Sequence, residues 1–301
     1  MKIVIGSRGS QLALWQANWV KDRLATAGFE VEIRIIKTMG DKLQHVPLAQ
    51  SGTKGLFIKE IEEALAAGEL DLAVHSMKDL PTEQPSGLVV AAVPEREDAR
   101  DVLISRDGQR LAQLPAGARV GTSSLRRQLQ LRKLRRDLEF VPLRGNLDTR
   151  LKKLARGDCA ALVLAAAGVH RLGLRRRVTE YFPVEQMCPA VGQGALALEI
   201  RQTDERIERA VKPLDYTPTH QAARAERALL RHLGGGCQVP IAAHATPVEE
   251  RLDLAGVVAS LDASTLLRAT ASGPMSDPEG LGARVARDLL EQGAQTILKS
   301  I

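Results

Sequence analysis

Short apolar runs alternate with longer amphipathic stretches over the first 95 residues, a pattern that predicts strands separated by helices. The predicted strands lie at 2–5, 31–36, 72–75 and 88–93. Ser10 can cap a helix that Gly28 ends, and a second helix is predicted over 55–67. Strands and helices alternating in this way are typical of parallel sheets covered by helices on both faces.

The same pattern starts again near residue 102 and changes after residue 194. Further strands are predicted at 102–105, 119–121, 140–143 and 161–166, with helices at 123–136 and 146–156. The last third reads as helices at 199–211, 219–233 and 278–292, a linker at 212–219, and a pair of strands at 252–260 and 266–271. The sequence therefore predicts two α/β units followed by a smaller α+β unit.

Length and composition agree with a folded protein of two or three domains. The chain has 301 residues, of which 44% are hydrophobic and 26% charged. Its longest apolar run, residues 159–169, is far shorter than the ~20 residues that cross a bilayer. The first residues show no secretory signal, and three isolated cysteines favour neither disulfides nor a zinc site. We expect a metal-free cytoplasmic protein without a membrane partner.

Positive charge is concentrated in one segment of the chain. Residues 126–177 contain twelve Arg and three Lys against four acidic residues, a local charge of +11 in a chain of +6. Arginine presents a planar fork of donors that matches carboxylates and phosphates. Seven cations of this segment are more simply read as solvated surface: Arg132, Lys133, Arg135, Arg136, Arg175, Arg176 and Arg177.

Three junctions place small polar residues and an arginine at a predicted helix start. They are G-S-R-G-S from residue 6, G-T-S-S-L-R-R from residue 121 and R-G-N-L-D-T-R from residue 144. Helix N-termini bind anions, and loops at the carboxyl ends of parallel strands are where α/β sheets bind ligands. The hydroxyls could equally be simple helix caps, but three such junctions favour a binding site for a small polyanion.

Two more segments carry chemistry of their own. Asp79 follows a predicted strand in D-L-A-V-H-S-M-K-D-L-P, where it is either a turn carboxylate paired with Lys78 or a charge coupled to bound substrate. Cys237 follows three glycines in G-G-G-C-Q-V-P, which would let a bulky group approach its thiol. The residues alone thus indicate a polyanion cleft, a carboxylate and a candidate reactive thiol, without fixing a reaction.

Eight segments together resemble the porphobilinogen deaminase (hydroxymethylbilane synthase) family. In order from residue 6 to residue 241, they are G-S-R-G-S-Q-L-A-L-W-Q, T-K-G-L-F-I-K-E-I-E, D-L-A-V-H-S-M-K-D-L-P, P-E-R-E-D-A-R-D, V-G-T-S-S-L-R-R-Q, R-G-N-L-D-T-R-L, P-A-V-G-Q-G-A-L and G-G-G-C-Q-V-P-I. The resemblance implies a transferase that joins four porphobilinogen molecules into hydroxymethylbilane on a dipyrromethane cofactor.

The resemblance also implies a role for individual residues. Asp79 would be catalytic, and Cys237 would hold the cofactor through a thioether. Cofactor binding would further involve Lys78, Thr122, Ser123, Ser124, Arg126, Arg127 and Arg144. Substrate binding would involve Arg8, Ser10, Lys54, Arg144, Arg150, Arg171 and Gln193.

The fold implied by the resemblance is two doubly wound α/β domains like those of two-lobed periplasmic binding proteins, plus a C-terminal α+β domain. Domain 1 would comprise 1–96 and 193–213, domain 2 would comprise 97–192, and domain 3 would comprise 214–301. The two crossings between the first domains would fall near 94–100 and 189–194, and we expect a monomer.

Some positions depart from the usual family pattern, and two other functions compete with this one. The departures are Gln50, Thr53, Ala99, Cys159 and Ala160, which affect the expected loop geometry and leave Asp79 and Cys237 in place. The main alternative is a two-lobed solute-binding module without catalysis. A nucleic-acid binder is disfavoured because Phe140 is the lone aromatic residue within 126–177, so stacking platforms are lacking.

Overall fold

A computed structural model describes residues 2–39, 58–143, 145–235 and 239–300. The strands are β1 (Lys2–Ser7), β2 (Glu30–Ile35), β3 (Leu72–Ser76), β4 (Leu88–Ala92), β5 (Asp101–Ser105), β6 (Arg119–Gly121), β7 (Glu139–Val141), β8 (Ala161–Ala165), β9 (Glu180–Tyr181), β10 (Leu196–Arg201), β11 (Ile241–Val248), β12 (Arg251–Ala259) and β13 (Leu266–Pro274). The α-helices are α1 (Gln11–Thr26), α2 (Lys59–Ala66), α3 (Leu125–Leu134), α4 (Leu147–Ala155), α5 (Ala166–Arg171), α6 (Glu205–Val211), α7 (Thr217–His232), α8 (Pro278–Glu291) and α9 (Ala294–Lys299).

The first sheet has the strand order β2-β1-β3-β10-β4. Strands β1, β2 and β3 are parallel, whereas β10 runs antiparallel to both β3 and β4. Side chains of α1 and α6 pack with one face of this sheet around Ile5, Leu72 and Leu198. Helix α2 covers the other face through Ile61 and Leu65. The sheet is therefore buried on both faces, and the carboxyl ends of β1 and β3 lie side by side.

The second sheet has the strand order β7-β6-β8-β5-β9. Strand β6 is parallel to β7 and β8, and β5 is antiparallel to β8 and β9. Leu103, Val120 and Val163 lie in the core on one face, and Ile104 and Leu162 lie in the core on the other. All five strands fall in sequence between β4 and β10 of the first sheet.

The third sheet is an antiparallel meander, β11-β12-β13, that packs against α7 and α8. The two helices approach closely because a Cβ at Gly282 would lie 2.4 Å from the carbonyl oxygen of Ala225. A side chain at position 282 would therefore push α8 away from α7. The predicted architecture, two α/β domains plus a small C-terminal domain with its own sheet, is confirmed.

Contacts between residues divide the chain into two compact units. Unit 1 contains 1–96 and 195–220, and unit 2 contains 97–194 and 221–301. The second and third sheets thus both belong to unit 2. The three-domain boundaries given above stay a prediction.

Three predictions about the secondary structure were wrong. Residues 196–201 form strand β10 in the interior of the first sheet, so the helix expected over 199–211 begins only at Glu205. The first two sheets are mixed rather than purely parallel. The third sheet also contains β11, which the sequence pattern did not reveal. A strand buried on both faces shows no alternation, and the charged residues at the end of β10 and after it imitated a helical period.

The helices and clusters of the described residues bear on two further expectations. No helix among them is long and apolar enough to cross a membrane. Over the same residues, no group of three or more His, Cys, Asp or Glu side chains is arranged to hold a metal ion.

Candidate active site

The predicted residues Arg8, Ser10 and Asp79 lie at the shared carboxyl edge of β1 and β3. Strand β1 ends one residue before Arg8, and Ser10 caps α1 by accepting a hydrogen bond from the Ala13 amide at 3.3 Å. Strand β3 leads into a single 3₁₀ turn that ends at Asp79. Because β1 and β3 are parallel neighbours, their polar ends meet at one edge.

These residues line one small cavity of unit 1. Its volume is about 70 Å³, enough for several waters, and its lining comprises Arg8, Ser10, Leu12, Ala13, Gln16, Ile58, Ile61, Val74, His75, Ser76 and Asp79. The carboxylate of Asp79 is exposed and has no hydrogen-bond or ion-pair partner among the described residues. Asp79 thus forms no salt bridge with Lys78 in the described structure, so it is not the paired turn carboxylate that the sequence also allowed. Asp79 remains available to a bound molecule.

A buried acid–base cluster lies under α2 and reaches this cavity. Nε2 of His75 on β3 is 3.1 Å from Oε2 of Glu199 on β10, and their side chains are 3% and 0% exposed. Glu62 on α2 is also buried, and its pKa is raised to about 7 by burial and by the negative charge of Glu199. The sequence analysis missed Glu62 and Glu199. For Glu199, the signal in the sequence was a single acidic residue within the apolar run A-L-A-L-E-I.

The second cluster of predicted residues surrounds a buried carboxylate in unit 2. Asp101 is fully buried and accepts hydrogen bonds from Arg126 Nη1 at 2.7 Å, Arg127 Nη2 at 2.7 Å and Gln193 Nε2 at 2.9 Å. The two guanidinium groups hold the pKa of Asp101 far below its usual range against the opposing effect of burial. Sequence reasoning missed Asp101, because nothing in the sequence pairs it with α3.

The two arginines differ in how many donors they have left. Arg127 also donates to the carbonyl oxygen of Val163 and to Oε1 of Gln193, so the protein itself occupies most of its N–H groups. Arg126 donates from Nη1 to Asp101 and to the carbonyl of Cys188. Its Nε and Nη2 groups have no partner within the described residues. Arg126 is therefore the better donor for an external anion.

Two further predicted arginines of unit 2 donate to backbone carbonyls. Arg171 is buried and donates to the carbonyl of Gly194 at 2.7 Å, and burial lowers the pKa of its guanidinium to about 10. Nε of Arg150 donates to the carbonyl of Gly145 at 2.9 Å. Arginine at a pKa near 10 is still charged at neutral pH, so unit 2 keeps an excess of buried positive charge.

The hydroxyls at the junction before α3 have local roles. Oγ1 of Thr122 accepts a hydrogen bond from the Ser124 amide at 3.2 Å, and Ser123 donates to the carbonyl of Leu143 at 3.0 Å. Ser124 is the N-cap of α3, with no side-chain capping bond. Thr122 and Ser123 thus shape the turn, whereas the Ser124 hydroxyl is not used by the helix.

The predicted residues divide between the two units. Arg8, Ser10, Lys78 and Asp79 belong to unit 1, whereas Thr122, Ser123, Ser124, Arg126, Arg127, Arg150, Arg171 and Gln193 belong to unit 2. Lys54, Arg144 and Cys237 lie outside the described residues, as do Gln50 and Thr53. Among the other departures from the family pattern, Ala99 accepts a hydrogen bond from Gln193 through its carbonyl, and Cys159 is a buried free thiol.

The surface interpretation holds for six of the seven arginines and lysines to which it was applied, since they are exposed. Arg135 is different. It is half-buried and donates to the carbonyls of Leu111 and Leu114 as well as to Asp137, so it ties α3 to the preceding loop.

Comparisons with known proteins give the family. A family model described as "Porphobilinogen deaminase, dipyromethane cofactor binding domain" matches residues 3–209, and "Porphobilinogen deaminase, C-terminal domain" matches 220–291. The chain is similar to the porphobilinogen deaminase of Syntrophotalea carbinolica, with 52% identity covering 99% of this chain and 95% of that protein. It is 54% identical to that of Geobacter metallireducens, covering 99% and 94%.

Among solved structures, the methionine-binding protein MetQ is similar at 14% identity and a TM-score of 0.45, covering 75% of this chain and 91% of MetQ. The regions matched by the two family models account for nearly the whole sequence, and they include Asp79 and Cys237. The chain belongs to the porphobilinogen deaminase family.

Proposed function

We propose that Asp79 and the buried arginines of this chain carry out the head-to-tail condensation of four porphobilinogen molecules. The chain is a transferase of the porphobilinogen deaminase family and uses a dipyrromethane cofactor. Each addition releases ammonia, and the product is the linear tetrapyrrole hydroxymethylbilane. The observation that carries the assignment of roles is the cavity of unit 1, in which Asp79 lies with Arg8 and Ser10.

Asp79 is the proposed acid–base group. Joining two pyrroles spreads positive charge over the incoming ring after ammonia leaves, and then removes a proton from the ring carbon that attacks. A carboxylate stabilises that charge and accepts that proton, which it can pass to the departing ammonia. The exposed and unpartnered carboxylate of Asp79, within the described residues, suits both tasks.

The arginines are the proposed acid-binding groups. Each porphobilinogen carries an acetate and a propionate, so carboxylates accumulate as the chain grows and require fixed cations. Arg126, with its uncommitted Nε and Nη2 groups, supports this role. The complete proposed set is Arg8, Ser10, Lys54, Lys78, Thr122, Ser123, Ser124, Arg126, Arg127, Arg144, Arg150, Arg171 and Gln193.

The residues of unit 2 fit a dipyrromethane that bears carboxylates. Among its described residues, four buried arginines, Arg126, Arg127, Arg171 and Arg227, stand against two buried acids, Asp101 and Glu226. Such an excess of buried positive charge is stabilised by an anionic group. When bound, the cofactor supplies a free pyrrole carbon for growth of the tetrapyrrole. We propose that Cys237 anchors it, since a thiolate is the side chain suited to attack on a soft carbon electrophile.

We further propose a cytoplasmic monomer that binds neither nucleic acid nor membranes. Cys159 and Cys188 are free thiols buried in unit 2, as expected of a protein from a reducing compartment. Size-exclusion chromatography with light scattering tests the monomer. A stable dimer would contradict it.

Intact-mass measurement of the purified chain and of Cys237→Ala tests the proposed function. The unmodified chain should be heavier than its sequence by one dipyrrole, and Cys237→Ala should have its sequence mass. The loaded chain should consume porphobilinogen and release the tetrapyrrole. A chain that bound porphobilinogen without adduct or turnover would instead be a solute-binding module.

Asp79→Ala tests the acid–base role. Condensation should slow by at least about 100-fold while the thermal unfolding temperature changes little, because the side chain is exposed and makes no bond among the described residues. Asp107→Ala, which removes another exposed acid, is the matched control. Turnover near that of the control would refute the role of Asp79.

A further inference from the structure

His75 is a buried imidazole that faces the same cavity as Asp79. Its Nε2 is 3.1 Å from a carboxylate oxygen of Glu199, and both side chains are almost fully buried. A carboxylate on one ring nitrogen fixes the orientation of the imidazole and keeps the proton on that nitrogen. The other nitrogen, Nδ1, is then a lone-pair acceptor.

Nδ1 of His75 has no hydrogen-bond partner within the described parts of the chain. His75 and Asp79 both line the same cavity of about 70 Å³. A buried polar atom is nearly always satisfied by protein, water or ligand. A cavity of this size admits water to the imidazole, so a water molecule can lie between His75 and Asp79.

The surroundings of His75 contain two buried acids. Glu199 lies against the ring, and Glu62 lies close enough to Glu199 to feel its charge. One carboxylate oxygen of each, Oε1, is buried and has no hydrogen-bond partner among the described residues. When the ring accepts a proton, its hydrogen bond to Glu199 becomes charge-assisted, and such bonds are strong in a dry environment.

We infer that His75 is the general base that activates the water releasing the finished tetrapyrrole, with Glu199 as its positioning residue. The inference rests on the proposed function. The elongation steps add no water, and their protons can pass from a ring carbon through Asp79 to the departing ammonia. Release adds water, a weak nucleophile that needs a base, and Asp79 is then required as the acid.

The release step balances with these two residues. Asp79 keeps the proton lost by the last pyrrole ring added and gives it to the ring carbon that stays on the enzyme, and the electron pair of the bond to the tetrapyrrole methylene stays with that ring. The oxygen of water bonds to the methylene carbon, and Nδ1 of His75 takes the proton that water loses. His75 then releases this proton to the solvent, so Asp79 ends as the carboxylate that the next addition requires. One water molecule is consumed, and nothing is oxidised or reduced.

His75→Gln separates elongation from release. The glutamine amide can still donate to Glu199 but cannot act as a base. Rapid mixing with porphobilinogen, followed by intact-mass analysis, should show additions to the chain at rates within about threefold of the unmodified chain, whereas release falls roughly 100-fold. Chains carrying the completed tetrapyrrole should therefore accumulate.

His170→Gln is the matched control. His170 is another histidine paired with a glutamate, but Glu97 and Tyr181 occupy both of its ring nitrogens, at 2.9 and 2.8 Å. Its replacement should leave release as in the unmodified chain. Hydroxylamine, a nucleophile that needs no base, should restore release of the tetrapyrrole in His75→Gln.

Equal slowing of addition and release, or no restoration by hydroxylamine, would overturn the role of His75. Absence of any pyrrole addition to the unmodified chain would instead overturn the proposed function. A second readout needs neither turnover nor a stable His75 variant. In Cys237→Ala, which carries no cofactor, ¹⁵N NMR should show a proton on Nε2 of His75 and none on Nδ1 near neutral pH. A proton on Nδ1 would also refute the inference.

Discussion

The carboxylate of Asp101 is shared between two buried guanidinium groups, so one negative charge is the counterion of two positive charges. Arg126 and Arg127 lie 2.7 Å from its two oxygens, with side chains 7% and 8% exposed. Removing a partner from a buried ion pair leaves a charge that neither water nor protein compensates. Asp101 therefore holds the two arginines in position. It also reduces the net positive charge that attracts a bound acid group.

Asp101→Asn should lower the free energy of unfolding by about 3–5 kcal/mol, because two buried arginines lose their counterion. Urea denaturation at pH 7 measures the change. Asp98→Asn is the control from the same segment, since Asp98 binds Arg100 in a pair that is partly exposed, and it should cost about 1 kcal/mol or less. Equal losses in the two variants would show that Asp101 is not a special counterion.

Glu62 should make the stability of the protein fall between about pH 5 and 7. Its folded pKa of about 7 lies above the ordinary value, so the folded state binds a proton there that the unfolded state has lost. The stabilisation is complete below the unfolded pKa and disappears as pH rises through the folded one. Glu62→Gln should therefore gain on the unmodified protein as pH rises, by at most about 3 kcal/mol at pH 8.

Urea denaturation at several pH values from 5 to 8 measures this difference. Glu63→Gln is the control, because Glu63 is exposed on the same helix. Parallel pH profiles for Glu62→Gln and the unmodified protein would contradict the buried position of Glu62. The control should follow the unmodified protein throughout.

Elements with a local signal could be predicted from the sequence, and elements defined by a distant partner could not. Helix α1 begins after Ser10 and ends before Gly28, as expected, because a hydroxyl cap and a left-handed glycine act within one turn. Strand β10 was misread because Glu199 is accommodated by His75, 124 residues away in sequence. Asp101, Gln16 and Glu62 also lie in segments that resemble the family, yet no role was predicted for them, because each is defined by a partner that is distant in the sequence.

The close contact between Glu97 and Gly194 leaves no room for a side chain at position 194. Gly194 has φ of +91°, and a Cβ there would lie 2.3 Å from the carbonyl oxygen of Glu97. Gly194→Ala should therefore cost about 3 kcal/mol or more, from left-handed backbone strain together with the clash. Gly173→Ala is the control, since φ is +72° there but nothing lies near the added Cβ.

Thermal and urea unfolding of the two glycine variants separate strain from clash. Gly173→Ala should lose about 1–2 kcal/mol from strain alone. Were the two losses equal, the backbone at 97 would have room to move aside. The segment would then be less constrained than its short contact indicates.

The charge of the whole chain is distributed unevenly, and this asymmetry has a kinetic consequence. The overall charge is +6, yet residues 126–177 alone carry +11. Exposed cations act on an approaching anion through the solvent and are screened by salt within about 10 Å at 0.1 M, whereas buried cations act at contact and are screened much less. Salt can therefore distinguish attraction at a distance from binding at the site.

Replacing Arg132, Lys133 and Arg136 together by Gln should weaken the salt dependence of porphobilinogen consumption. These side chains are exposed on or just after α3, the helix that carries Arg126 and Arg127. At about 0.02 M salt the variant should have a kcat/KM several-fold below that of the unmodified chain, and the two should converge by about 0.3 M, with kcat similar throughout. The control replaces three exposed cations outside this segment, Arg209, Lys212 and Lys299. Because both triple variants lose the same charge, an equal effect would assign the attraction to net charge alone, whereas a larger effect near α3 would assign it to the field of the basic segment.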